Sequence, residues 1–246
     1  SSNPQMGRNR RVRPMAAERL WCVVPAAGHG TRFGAAIPKQ YIDIAGRPLI
    51  EWTLEALARS PCVAGILLVL ADGDAHWRVR DSIGGKPLRT TIGGDERSTS
   101  VLAGLRALPP EVASDDFVLV HDAARPCVRV DDIERLVTLA IPAGGGLLAA
   151  PLRDTLKRAD GDHRVVATEP RESRWRALTP QLFPRGALER ALARAHADGV
   201  AITDEAMAME RAGHTPLLVE GDESNIKVTT PGDLALATYL LNRAPA

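Results

Sequence analysis

Short apolar runs recur along the chain, separated by longer stretches whose apolar residues fall every third or fourth position. Trp21-Cys22-Val23-Val24, Ile66–Leu70, Phe117–Val120, Leu147–Ala150 and Leu217–Val219 are continuous rather than alternating. A strand that is apolar at every position has both faces covered, the pattern of a parallel sheet flanked by helices. Between the runs, Ile50, Leu54 and Leu57 fall at i, i+4 and i+7, and Ile133, Leu136, Val137 and Ala140 at i, i+3, i+4 and i+7. Each set draws one apolar stripe along a helix. Thr203 followed by Asp204 and Glu205 reads as an N-cap with acid in the first turn, and Gly213 as the C′ residue of that helix. The β-α-β alternation predicts an α/β fold with a doubly wound, mostly parallel sheet and right-handed crossovers.

One segment departs from this rhythm. Thr155–Arg158 and His163–Thr168 are strand-like and flank Ala159-Asp160-Gly161-Asp162, where Asp-Gly signals a hairpin turn. A hairpin projecting from an α/β core exposes an edge that proteins usually cover. An arm over about residues 152–171, serving a dimer contact, is the expectation.

Composition narrows the class. Hydrophobic residues are 45% and charged residues 25%, ordinary for a globular protein. Net charge is +1 and aromatics are 4%, so neither a basic footprint nor a stacking platform for nucleic acid is expected. No apolar run approaches the roughly 18 residues of a membrane span. Three cysteines with no C-x-x-C pair point to reduced thiols and a cytoplasmic setting, with Cys22 a buried core residue. Residues 1–18 carry Arg8, Arg10, Arg11 and Arg13 with no apolar segment after them, and Ser1–Gln5 reads as an expression remnant. A disordered tail is expected there, ahead of a single domain over 19–246.

Three segments offer chemistry. The first run leads into Pro25-Ala26-Ala27-Gly28-His29-Gly30-Thr31-Arg32-Phe33-Gly34 and then Pro38-Lys39. The glycine spacing is one residue too long for a dinucleotide fingerprint. Its turn instead suits backbone N–H groups approaching phosphate, with Arg32 and Lys39 as neutralising cations. Gly93-Gly94-Asp95-Glu96-Arg97-Ser98-Thr99-Ser100 opens a helix, and Asp95 and Ser100 offer an acceptor and a hydroxyl to a base edge or to the helix cap. His121-Asp122-Ala123-Ala124-Arg125-Pro126 follows the strand Phe117–Val120, at a carboxyl end where open sheets bind ligands. Asp122 there suits Mg²⁺, whereas His121 reads as a packed residue before it reads as a base.

With Leu178-Thr179-Pro180-Gln181, Ile202–Ala206 and Asn225-Ile226-Lys227-Val228-Thr229, these motifs in this order resemble the 2-C-methyl-D-erythritol 4-phosphate cytidylyltransferases from about Leu20 to Leu241. The resemblance implies a Rossmann-like fold of nucleotidyltransferase type, a homodimer with a β-arm, and Mg²⁺ or another divalent cation. By position it implies CTP binding by Ala26, Ala27, Gly28, Gly30, Gly94, Asp95 and Ser100. It implies catalysis by Arg32, Lys39 and Lys227. It places the methylerythritol phosphate against Asp122, Arg125, Thr155, Arg171, Thr179 and Thr203, with Asp122 also the metal ligand. The acceptor phosphate is already an anionic nucleophile, so no side chain need deprotonate it. Rival readings are a ribitol 5-phosphate cytidylyltransferase, which shares the CTP half, a sugar-1-phosphate nucleotidyltransferase, and a non-catalytic nucleotide-binding protein. The 121–126 and 179–181 motifs favour methylerythritol phosphate. The few residues after Leu241 lead to an expectation of one activity only.

Overall fold

The computed structural model describes residues 19–28 and 37–243. Strand β1 (Leu20–Ala26) lies between β4 (Val63–Leu70) and β7 (Phe117–Val120), parallel to both. Its side chains alternate between two cores. Cys22 and Val24 face helices α1 (Leu49–Ala58) and α3 (Val130–Ala140), while Val23 faces α2 (Arg97–Arg106), α4 (Arg185–Ala197) and α5 (Glu205–Arg211). The continuous apolar run is therefore two alternating sets, one for each helical layer. Cys22 is fully buried, and burial pushes its thiol up. Ile50, Leu54 and Leu57 are sealed on α1, as are Ile133 and Leu136 on α3. Helix α2 lies so close to β1 that a Cβ on Gly104 would stand 2.5 Å from Val23 Cγ1.

The sheet has eight strands in the order β12-β8-β11-β7-β1-β4-β6-β5. Here β5 is Ser82–Ile83, β6 Lys86–Ile92, β8 Gly146–Pro151, β11 Trp175–Pro184 and β12 Leu217–Glu220. The mostly parallel reading holds, with three strands that hydrophobic pattern did not flag: the two-residue β5, β6 and β11. Strand β6 buries only Leu88 and alternates Pro, Arg and Thr around it, so it carries no apolar run. Strand β11 runs antiparallel between β7 and β8, and its register against β8 shifts between Ala177 and Gln181. That shift frees Thr179 from the β8 ladder, beside the end of β7. A small ribbon of β2 (Asp43–Ile44) and β3 (Arg47–Pro48) leads into α1.

The hairpin forms as its own two-stranded sheet, β9 (Leu156–Ala159) with β10 (Val165–Glu169). Its turn differs from the Asp-Gly expectation. The connection takes in residues 160–164, the Asp160 N–H donates to Arg164 O, and Asp160 Oδ1 accepts the N–H groups of Asp162 and Arg164. The left-handed residue is His163 (φ 61°) rather than Gly161. A side-chain acceptor at the loop start thus outweighs the glycine's local preference. In α5 the N-cap is Asp204, whose carboxylate accepts the Met207 N–H, one residue later than expected; Gly213 is at C′ with φ 89°.

Candidate active site

Four segments converge at the carboxyl ends of β1, β6 and β7, where a cavity of about 550 Å³ opens. The first is the end of β1, with Ala26, Ala27 and Gly28 on the wall. Gln40, almost fully buried, donates to Ala26 O at 2.8 Å and Gly28 O at 3.4 Å. This ties the turn Lys39–Tyr41 back to the strand and sets Lys39 on the wall. The Tyr41 hydroxyl donates to Asp74 at 2.6 Å and anchors the other side of the same turn.

The second segment is the loop into α2. Here the capping question is settled by Glu96 and Thr99: Thr99 Oγ1 accepts the Glu96 N–H at 3.1 Å. Asp95 and Ser100 are therefore not the cap, and both line the cavity. Ser100 Oγ donates to Gly94 O at 3.1 Å. A Cβ on Gly93 would stand 2.6 Å from Ser100 Oγ and 2.9 Å from Ala27 Cβ, so only glycine lets the loop close on β1.

The third segment follows β7. The Asp122 N–H donates to Thr179 Oγ1 at 3.0 Å, Thr179 Oγ1 meets His121 Nδ1 at 2.9 Å, and His121 Nε2 meets Arg125 O at 3.0 Å. A carbonyl only accepts, so the His121 proton sits on Nε2 and Thr179 donates to Nδ1. Burial lowers the His121 pKa to about 4, and the ring is neutral. With both nitrogens engaged, His121 is a strut and not a base. Thr179 is likewise buried between the two, and its carbonyl accepts from Asn225 Nδ2 at 2.7 Å.

The fourth segment is Asn225–Thr229, held by the Val228 N–H donating to Ala124 O at 2.8 Å. It places Lys227 Nζ 3.1 Å from Asp122 Oδ2. Arg125 Nε reaches the same oxygen at 3.4 Å from behind, its Nη1 donating to Asn225 O at 2.7 Å. Arg97 Nε donates to Asp122 Oδ1 at 2.8 Å. Burial alone would raise the Asp122 pKa, but the charges of Arg97, Lys227 and Arg125 outweigh it and hold the carboxyl well below its usual range.

Of the residues singled out by sequence, Ala26, Ala27, Gly28, Lys39, Asp95, Ser100, Asp122 and Lys227 share this cavity, with Gly94 adjoining through Ser100. Arg125 and Thr179 stand behind Asp122. Thr203 is exposed at the approach to α5, and Thr155 and Arg171 are exposed on the arm; none of the three lines the cavity. Gly30 and Arg32 lie outside the described residues. Sequence reasoning passed over Arg97 and gave Glu205 only a helix-start role. Arg97 lines the cavity and grips the fully buried Glu205 through Nη1 at 2.6 Å and Nη2 at 3.1 Å. A cation in the first turn of a helix opposes the macrodipole, and that misfit was the available signal.

Among the described residues no group of three or more His, Cys, Asp or Glu forms a metal cage, and no helix is long and apolar enough to cross a membrane.

Known proteins match over nearly the whole described region. The profile of the 2-C-methyl-D-erythritol 4-phosphate cytidylyltransferase family matches residues 20–243. A protein of that name from Xylella fastidiosa (strain 9a5c) is 57% identical, covering 91% of this chain and 97% of its own. Another from Xanthomonas campestris pv. campestris (strain B100) is 58% identical, covering 91% and 85%. The crystal structure of the Francisella tularensis 2-C-methyl-D-erythritol 4-phosphate cytidylyltransferase superposes with a TM-score of 0.77 at 32% identity, covering 91% of this chain and all of that one. By profile, sequence and fold together, the chain belongs to the 2-C-methyl-D-erythritol 4-phosphate cytidylyltransferase family.

Proposed function

We propose that this protein transfers the cytidylyl group of CTP to 2-C-methyl-D-erythritol 4-phosphate. The products are 4-diphosphocytidyl-2-C-methyl-D-erythritol and pyrophosphate, in isoprenoid precursor biosynthesis. The charge layout of the cavity carries this reading: Lys39, Arg97 and Lys227 line one cleft at the strand ends around the buried, ionised carboxylate of Asp122.

In the reaction an oxygen of the acceptor phosphate attacks the α-phosphorus of CTP. One P–O bond forms, the α–β bridging bond breaks, and pyrophosphate leaves with its electron pair. Both reactants are anions, so alignment and fixed positive charge supply most of the acceleration. Lys39 faces the nucleotide phosphates from the β1 side, and Arg32, seven residues earlier, is assigned the same task. Lys227 approaches from the Asp122 side, toward the α-phosphate. His121 takes no proton, since it is neutral and both ring nitrogens are engaged. The Gly94 carbonyl and the Asp95 carboxylate are acceptors that could face the cytosine amine, and an acceptor closed off from water by the bound base and left unmet would penalise uracil.

The donor set fits Mg²⁺ of a particular kind. Among the described lining residues Asp122 is the one buried carboxylate, with Asp95 exposed at the rim, and this matches an ion that takes most of its ligands from phosphate and water rather than a resident cage. Bound there with the triphosphate, it would offset charge on the phosphoryl oxygens. We assign the arm to a homodimer contact, because Leu156, Val165, Val166 and Trp175 expose apolar surface on or beside it. Thr155 and Arg171 on the arm are then candidates to complete the acceptor site across the dimer, in a cytoplasmic enzyme.

Pyrophosphate release from CTP and Mg²⁺ tests the reading, with methylerythritol 4-phosphate and ribitol 5-phosphate in parallel. Turnover with the first alone is expected. Turnover with ribitol 5-phosphate alone would overturn the substrate, and CTP binding without turnover on either would overturn the enzyme.

A further inference from the structure

Arg97 is expensive to keep where it is. It opens α2, where the helix's positive end disfavours a cation, and only 26% of its side chain is exposed. Burial alone would weaken its charge, yet Glu205 and Asp122 more than restore it. Three N–H groups are committed, two to Glu205 and one to Asp122. Glu205 is fully buried, does not line the cavity, and is fixed at the head of α5. Asp204 caps that helix while accepting from Gln181 Nε2 at 3.0 Å, and Gln181 Oε1 accepts the Ala206 N–H at 2.8 Å. The clamp on Arg97 is therefore rigid on its Glu205 side.

Asp122 divides its oxygens. Oδ1 accepts from Arg97, and Oδ2 accepts from Lys227 at 3.1 Å and Arg125 at 3.4 Å. Lys227 is the most exposed of these partners, at 37% of its side chain. A phosphate entering the cavity competes with Asp122 for that ammonium. Once Lys227 turns to the phosphate, Oδ2 keeps only its longest bond, and the Arg97 contact becomes the main restraint on the carboxylate. Without that contact Asp122 is free to close on Lys227 with both oxygens and hold it back.

We propose that Arg97, clamped by Glu205, is a positioning residue that keeps the Asp122 carboxylate in place while Lys227 leaves it for a phosphate oxygen. This rests on the cytidylyl-transfer reading for its kinetics, but its structural consequence is separate. Arg97→Lys keeps the charge and loses the fork that serves both carboxylates. Its kcat falls on the order of 10²-fold, as for a misplaced catalytic group. KM for CTP stays near the wild-type value, since the Glu96–Thr99 cap and the Gly94–Ser100 contact are untouched. In crystals of the ligand-free variant the Asp122 carboxylate is rotated onto Lys227. Glu205→Gln, nearly isosteric and outside the cavity lining, shows the same kcat-specific loss to a smaller degree, and decides the matter should Arg97→Lys not fold. An Asp122 carboxylate left unmoved in these crystals overturns the proposal, whatever the activity. A raised KM for CTP at unchanged kcat also overturns it, and makes Arg97 a nucleotide contact. If wild-type protein turns over neither acceptor, the functional reading fails alone, and the position of Asp122 still decides this one.

Discussion

The Asp122 neighbourhood and the β9–β10 arm are both built on arginine–carboxylate pairs, and they differ in what water does to them. Around Asp122 the carboxylates are 8% and 1% exposed, and each charge is met by a fixed partner. On the arm, Arg158 Nε lies 2.9 Å from Glu169 with 63% and 30% of the two side chains exposed. Geometry is similar in the two places, but the dielectric is not. In the interior, removing one partner strands a charge that water cannot reach; on the arm, solvent takes the partner's place. The first region can hold a reactive arrangement without help. The second keeps its shape through backbone pairing and exposes Val165 and Val166, the apolar surface that the proposed dimer contact would cover.

The sharpest way to break this contrast is Glu205→Ala. It leaves Arg97 with a single carboxylate, and unfolding free energy should drop by about 3–5 kcal/mol, the cost of breaking a buried pair. Urea unfolding with an unchanged m-value would measure it. A loss under about 1 kcal/mol would mean that the Asp122 region is as solvated as the arm.

Next is Lys39→Ala, which tests function inside the same region. Its side chain lines the cavity, and under the proposed role its ammonium meets charge that develops on the phosphates, so kcat should fall on the order of 10²–10³-fold. The melting temperature should hold, because the Gln40 and Tyr41 contacts secure the turn without it. Wild-type turnover by a folded variant would remove Lys39 from the chemistry.

The same contrast explains what could be read from sequence. The parallel core was legible because burial on both faces forces continuous apolar runs such as Ile66–Leu70. Asp122 and Lys39 were legible because each lies in a motif beside a strand end or glycine-rich turn, whereas Lys227 was reached only through the family resemblance. Strand β11 was hidden because the polar residues Thr179 and Gln181 serve the site rather than the core. Arg97 and Glu205 were hidden for a different reason: they are 108 positions apart, and only the fold makes them partners. Local spacing reports which residues share a face, and gives no sign of a buried pair closed by two distant helices. The arm showed the reverse. Its hairpin was plain in sequence, yet its turn was set by the Asp160 carboxylate instead of Gly161.

Val165→Asp with Val166→Asp sharpens the other half of the comparison. If the arm's apolar face is covered by a second copy, each valine loses about 1.5–3 kcal/mol of burial. Dimer dissociation should then move into the micromolar range of sedimentation experiments, with far-ultraviolet circular dichroism unchanged because neither side chain belongs to the core. Identical sedimentation of variant and wild type would show that the arm meets no partner copy.

The smallest effect should come from Arg158→Ala, and its smallness is the point. Arg158 and Glu169 are diagonal cross-strand partners, with Ala167 opposite Arg158 in the ladder and Glu169 two positions further, opposite Leu156. The pair links the strands diagonally at a solvated surface, where screening and side-chain entropy cancel most of the attraction. Stability should change by less than about 1 kcal/mol, and less again in high salt. Set beside Glu205→Ala, the same kind of deletion then costs several-fold less on the arm than beside Asp122. A large loss from Arg158→Ala would place this pair in a low-dielectric setting, buried against another surface. The arm's covered face would then include its charged edge as well as its valines.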